Sequence, residues 1–272
     1  MFSLAIHSAA PDGYIDLVWD IFFSSRGRGR RLNRHFPWLD VPSPTTWYVV
    51  ATSGDGVIGG LAVREDQDGN ERLASIGLVC VHSAHRGQGL SGLLLAHGIA
   101  QARARGLAAL RLWTTTPNVY RSHGFSVADT AFFGWIKRTV AASDSQLYVE
   151  HQYWPASVTA GADLRGLPPF AVNGHRWQCA HASVVALDDA DGVIVAEWTG
   201  PARSVVQLMA KVLPDRLRLN AIENDELLDE LSAQNWTCAL ARKELQMILP
   251  LVNDITAQSY ADKYPIRLLS RI

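Results

Sequence analysis

The stretch of this 272-residue chain best suited to chemistry runs Leu78-Val79-Cys80-Val81-His82-Ser83-Ala84-His85-Arg86-Gly87-Gln88-Gly89-Leu90-Ser91-Gly92. An apolar strand enters a turn with glycines at 87 and 89, and a helical pattern begins at once. Glycine lets the backbone take positive φ and approach a ligand closely. The N–H groups of a helix's first turn lack intrahelical partners, and the helix dipole favours negative charge beside them. A pyrophosphate is the natural guest of such a turn. The competing reading is a plain strand-to-helix turn that contains two glycines, and Gly-x-Gly alone does not separate the two.

The flanking elements must hold that turn. A first strand ends at Pro11-Asp12-Gly13, and Ile15, Val18, Trp19 and Phe22 recur at helical spacing over Gly13 to Phe23. Two strand-like runs, Thr46 to Thr52 and Val57 to Arg64, are joined by turn residues as a hairpin. Leu73 to Val81 is apolar along most of its length, as a strand covered on both faces should be. After the glycine turn comes a helix closed by Gly106. Ala108 to Thr114 then reads as a strand, Pro117 to Ser122 as a helical turn and Phe125 to Ile136 as a further strand. The predicted class is α/β: a mixed, mostly antiparallel central sheet with flanking helices. A small, polar stretch near Val140 to Gln146 divides the chain into 1–140 and 146–272.

Composition bounds the alternatives. Hydrophobic residues make up 48% and charged residues 19%, which supports packed cores rather than disorder. A net charge of −1 gives no electrostatic mandate for nucleic acid or an anionic membrane. No apolar run approaches the roughly 20 residues of a membrane span. Cys80, Cys179 and Cys238 are odd in number and in no metal-ligand spacing, so they read as buried thiols of a cytoplasmic protein, with no metal expected.

Arg86-Gly87-Gln88-Gly89-Leu90-Ser91 resembles the Arg/Gln-x-x-Gly-x-Gly/Ala signature of the GCN5-related N-acetyltransferase (GNAT) superfamily, with Ser91 in place of the final small residue. Tyr120-Arg121-Ser122-His123-Gly124-Phe125 resembles that family's Tyr-x-x-x-Gly-Phe element. The resemblance covers roughly residues 1 to 138. It implies a GNAT fold and an acyl-CoA-dependent N-acetyltransferase, with acetyl-CoA as cosubstrate. It places the pyrophosphate on the amides of Arg86, Gly87, Gln88, Gly89, Leu90 and Ser91, and the pantetheine arm along Val79, Cys80 and Val81. Thr116 or Asn118 would meet the pantetheine, although Thr114 to Tyr120 is shorter than usual in the family. Tyr120 would be the general acid, protonating a thiolate of intrinsic pKa about 8.5. An amide near Val79 or Cys80 would stabilise the oxyanion. No covalent acyl-enzyme is needed, so Cys80 is read as a strand residue beside the cofactor. Glu65 and Glu71 flank the hairpin and His82 and His85 sit near the loop; each could act as base through water, a solvated surface group is the competing reading of each, and none is assigned. A catalytically silent acyl-CoA-binding regulatory module is the alternative to an enzyme.

The resemblance further implies a small-molecule or peptide amine as the acceptor. Phe22, Phe23 and the arginines at 26, 28, 30, 31 and 34 lie in the segment expected to wall its site. A solvated charged face competes there with a site for an anionic group on the acceptor. The second half repeats part of the first. Val49-Val50-Ala51 and Gly56-Val57-Ile58 match Val184-Val185-Ala186 and Gly192-Val193-Ile194, and Leu110-Arg111-Leu112 matches Leu217-Arg218-Leu219. Where the phosphate turn should recur, the chain reads Trp198-Thr199-Gly200-Pro201-Ala202-Arg203-Ser204, and Pro201 removes an amide donor. The second half is therefore expected to be a truncated, degenerate GNAT-like domain. Covering the sheet edge, completing the acceptor pocket and holding a homodimer are its candidate tasks.

Overall fold

Trp47, Val49 and Ala51 alternate with Tyr48 and Val50, and all five are buried, as a strand covered on both faces requires. This strand is one of fourteen in the computed structural model, which describes residues 2–24, 32–54, 56–66, 72–140, 146–155, 165–253, 255–265 and 268–271. The chain runs β1 (Ser3–His7), α1 (Asp12–Phe22), α2 (Leu32–His35), β2 (Thr46–Ser53), β3 (Gly56–Glu65), β4 (Leu73–Val81), α3 (Leu90–Ala104), β5 (Ala109–Trp113), α4 (Asn118–Arg121) and β6 (Ser126–Val127). It continues through β7 (Ala131–Arg138), β8 (Glu150–Tyr153), β9 (Asn173–Gln178), β10 (Ser183–Asp189) and β11 (Gly192–Thr199). The last elements are α5 (Ala202–Val212), β12 (Arg216–Ile222), α6 (Glu226–Ala233), β13 (Trp236–Arg242), β14 (Gln246–Pro250) and α7 (Ala257–Lys263).

The strands form two seven-stranded sheets, in the orders β1-β2-β3-β4-β5-β14-β6 and β8-β9-β10-β11-β12-β7-β13. In both, the first four strands are mutually antiparallel, the fourth and fifth are parallel, and the last two neighbours are antiparallel again. The mixed, mostly antiparallel α/β class thus occurs twice. The second sheet has as many strands as the first, so the expected truncation does not extend to it.

The chain divides into two compact units. One is Met1–Asp129 with Glu244–Tyr264 and Arg271–Ile272, and the other is Thr130–Lys243 with Pro265–Ser270. This corrects the expected break at 140–146, of which residues 141–145 lie outside the described residues. The expected single strand from Phe125 to Ile136 is also two strands. It breaks at Asp129, whose buried carboxylate accepts the N–H groups of Leu245 at 2.9 Å and Gln246 at 3.1 Å. That contact fixes the start of β14 in the first sheet, beside β5 and β6. The strand after the break, β7, lies between β12 and β13 in the second sheet.

Within the first unit α3 covers one face of the sheet with Leu90, Leu94, Leu95 and Ile99, packed on Val49, Leu61 and Ile76. Helix α1 packs against β3 and β4, with Tyr14, Leu17 and Val18 buried. In the second unit Val205, Val206 and Met209 of α5 and Leu227 and Leu231 of α6 bury Val184, Ala186, Leu217 and Leu219. Each fully buried leucine or valine contributes roughly 1.5–3 kcal/mol.

The common strand order sharpens the internal repeat. Arg111 on β5 and Arg218 on β12 occupy the same place in their sheets, and both are buried. Arg111 pairs with Asp66 at 2.6 Å, and Arg218 pairs with Asp189 and, at 3.3 Å, with Asp191. After the following short helix, Gly124 (φ +88°) precedes Phe125 and Asn235 (φ +62°) precedes Trp236. The other proposed match is shifted by one strand. β10 and β11 occupy the places of β3 and β4, not of β2 and β3.

Candidate active site

In the first unit β4 and β5 pair over only three residues, Leu73, Ala74 and Ser75 with Ala109, Leu110 and Arg111. Beyond Ser75 no β5 partner accompanies β4. A bulge sits in the unpaired part. Between the pairs Ala62–Gly77 and Gly60–Cys80, the single residue Leu61 faces two, Leu78 and Val79. Leu78 takes φ +52°, a region that non-glycine residues seldom adopt. The His82 N–H donates to Ile58 O on β3 at 2.9 Å. Because a strand's backbone groups alternate sides, those of Val81 and Val79 point away from β3, to the open side. Of the two amides considered for the oxyanion, Val79 is on that side and Cys80 faces β3.

The strand then enters the glycine turn through a 3-10 turn over Ser83–His85, where the His82 ring accepts the Ala84 N–H at 3.3 Å. Gly87 has φ +76° and Gly89 φ +74°. Nothing lies within 4 Å of where a Cβ on either would stand. The glycines therefore answer to backbone conformation, and the space beside them is free. The first bond into α3 runs from Leu93 N–H to Gly89 O at 3.2 Å, so the amides of Gly89, Leu90, Ser91 and Gly92 precede it.

These pieces surround one cleft of about 310 Å³ in the first unit. Of the expected site residues, Val79, Cys80, Val81, Arg86, Gly87, Gly89, Leu90, Ser91 and Tyr120 line it. Gln88 and Asn118 do not. The Gln88 amide donates to Ala84 O at 3.4 Å, and Asn118 Oδ1 accepts from Arg121 at 3.1 Å. Thr116 and Val119 line the wall near Tyr120 instead. Arg86 folds back so that its Nε donates to Val81 O at 3.2 Å.

Tyr120 packs edge-on against Phe125, with ring centroids 6.1 Å apart. Burial raises its phenol above the usual 10, so it stays protonated and able to donate. Burial also pushes the Cys80 thiol up to about 12, partly opposed by a backbone hydrogen bond from Gly60. A thiol in that state is a poor nucleophile.

Some expectations need correcting. Glu65, beside the hairpin, is not a solvated surface group: it is buried and paired with Arg72 and Arg105, each at 2.8 Å. Cys238 is exposed on β13 rather than buried, and Cys179 is half-buried. Glu71 and the arginines at 26, 28, 30 and 31 lie outside the described residues. Phe22 lines the cleft, whereas Phe23 is buried in an aromatic cluster with Trp19, His35 and Phe36. Ile21, also in the wall, and Tyr14, whose hydroxyl donates to Leu78 O at 2.9 Å, were not singled out from sequence. The consecutive glycines Gly59-Gly60 within a strand were the available signal, since they mark a close approach. A Cβ on Gly60 would stand 2.7 Å from the Tyr14 ring.

Among the described residues no group of three or more His, Cys, Asp or Glu could hold a metal ion, and no helix is long and apolar enough to cross a membrane.

Residues 12–125 match the family model described as the acetyltransferase (GNAT) family. A GCN5-related N-acetyltransferase from Kribbella flavida shares the fold with a TM-score of 0.61 at 14% identity, over 91% of this chain and 71% of its own. A probable N-acyltransferase from Enterococcus faecalis V583 gives 0.63 at 10% identity, over 95% and 74%. A tandem GNAT protein from the clavulanic acid biosynthesis pathway gives 0.56 at 11% identity, over 94% and 100%. No curated protein sequence matches the chain. A GNAT-family domain therefore occupies residues 12–125, the part of the chain that lines the cleft.

Proposed function

We propose that the first unit moves an acetyl group from acetyl-CoA to a primary amine by direct attack, with no covalent acyl-enzyme. The family's chemistry is acyl-CoA-dependent N-acyl transfer. One observation supports the finer reading most: the glycine turn, the open side of β4 and the Tyr120 phenol border the same cleft. In this reading the diphosphate rests on amides of the turn from Gly87 to Ser91, where the helix dipole adds to their attraction. The pantetheine arm lies along Val79 and Val81, and the Val79 amide polarises the thioester carbonyl. The carbon–nitrogen bond forms as the carbon–sulfur bond breaks, and Tyr120 gives its proton to the departing sulfur. The phenolate recovers a proton, through solvent, from the newly formed ammonium. Cys80, held as a thiol, takes no covalent part.

The acceptor is a small-molecule or peptide amine that reaches the thioester past Ile21 and Phe22. The second unit is a degenerate copy that keeps the sheet and lacks the phosphate turn. A panel of amines, followed by release of free thiol from acetyl-CoA, tests the activity. Thiol release that depends on an amine supports it. Coenzyme binding without release from any amine would instead favour a silent acyl-CoA-binding module.

A further inference from the structure

Tyr14 is fully buried on α1, and its hydroxyl donates to the Leu78 carbonyl at 2.9 Å. That carbonyl belongs to the extra residue of the β4 bulge, which sits at φ +52°. A bulge leaves a residue out of the ladder, and a half-buried carbonyl such as that of Leu78 still loses a hydrogen bond when it has no partner. The phenol supplies that partner. Room for its ring is made by Gly60, where a Cβ would also stand 3.0 Å from Val49 O.

The bulge decides which backbone groups face the cleft. With the extra residue, His82 bonds to β3 and Val79 and Val81 face the open side. In a regular ladder the register would slip by one, so Val79 and Val81 would turn to β3 and Cys80 to the cleft. We propose that Tyr14 is a positioning residue, whose hydroxyl holds Leu78 in the bulge and so presents the backbone of Val79 and Val81 to the pantetheine arm. The proposal rests on the acyl-CoA reading above.

The test compares coenzyme A affinity in the wild type, Tyr14→Phe and Val63→Ala. Val63 is a buried β3 residue away from the cleft, so Val63→Ala controls for lost stability. At a temperature where all three are folded, Tyr14→Phe is expected to weaken binding about tenfold and Val63→Ala to leave it unchanged. The double variant Tyr14→Phe/Leu78→Gly is expected to recover to within about threefold of wild type, because glycine takes positive φ without a tie. It also carries the test if Tyr14→Phe alone does not fold. Wild-type affinity in Tyr14→Phe, or no recovery in the double variant, overturns the proposal. A wild-type protein that binds no coenzyme overturns the acyl-CoA reading and the proposal together.

Discussion

The turn from β4 into α3 and the turn from β11 into α5 stand at the same place in two sheets of the same strand order, and they have opposite surroundings. In the first unit, the sites where Cβ atoms would stand on Gly87 and Gly89 meet nothing within 4 Å. In the second, a Cβ on Gly200 (φ +103°) would stand 2.1 Å from His181 O, so the protein's own backbone fills the place beside the turn. Pro201 then caps α5 without an N–H to offer. Both units keep a bulge in the fourth strand, at Leu78–Val79 and near Ala196. Both also keep the brief parallel pairing with the fifth strand. The scaffold is thus common to the two copies, and the glycine turn with open space beside it belongs to one. If the glycine turn holds the diphosphate as proposed, binding depends on a few backbone torsions more than on the sheet that carries them.

Several substitutions would break or sharpen this contrast. The largest effects should fall on what the units share. Arg111→Ala and Arg218→Ala each strand a carboxylate partner in a poorly solvated place and should destabilise the protein by about 3–5 kcal/mol, read by chemical denaturation. Tyr120→Phe should lower kcat at least about a hundredfold while leaving coenzyme affinity near that of wild type. The sign of its pH dependence follows from the raised phenol: the acid is present below its pKa and lost as pH rises through it. The alkaline fall in kcat that Tyr120 causes should therefore lie above pH 10, the usual phenol value, and vanish in the variant. Gly89→Ala forces a side chain into left-handed backbone at about 1–2 kcal/mol, and coenzyme affinity should drop about tenfold. Pro201→Ala, in the matching turn, should leave that affinity alone. Only a small change is expected for Cys80→Ala, with kcat within about threefold of wild type, since a thiol held at about 12 is a poor nucleophile.

Much of the site was legible because its signals are local. Glycines 87 and 89 lie between an apolar strand and a helical pattern, and Tyr120 stands five residues before Phe125. The helices and the first hairpin were legible from periodicity for the same reason. The exchange of β7 and β14 was not, because each reads as an ordinary apolar strand. The deciding contact, Asp129 with the amides of Leu245 and Gln246, spans more than a hundred residues. Tyr14 escaped notice because its role lies in a hydroxyl buried against a carbonyl 64 positions away. Glu65 was misjudged because a lone glutamate at a strand end gives no sign of the two arginines that pair with it. The repeat was legible at Arg111 and Arg218, where a buried charge marks the position, and slipped by one strand where short runs of valine match any strand.

A crystal soaked in coenzyme A tests the central claim most directly. The diphosphate should sit within about 3 Å of main-chain amides between Gly87 and Ser91, with the turn at Gly200 unoccupied. An empty glycine turn, or a coenzyme bound at the second unit's turn instead, would contradict the account.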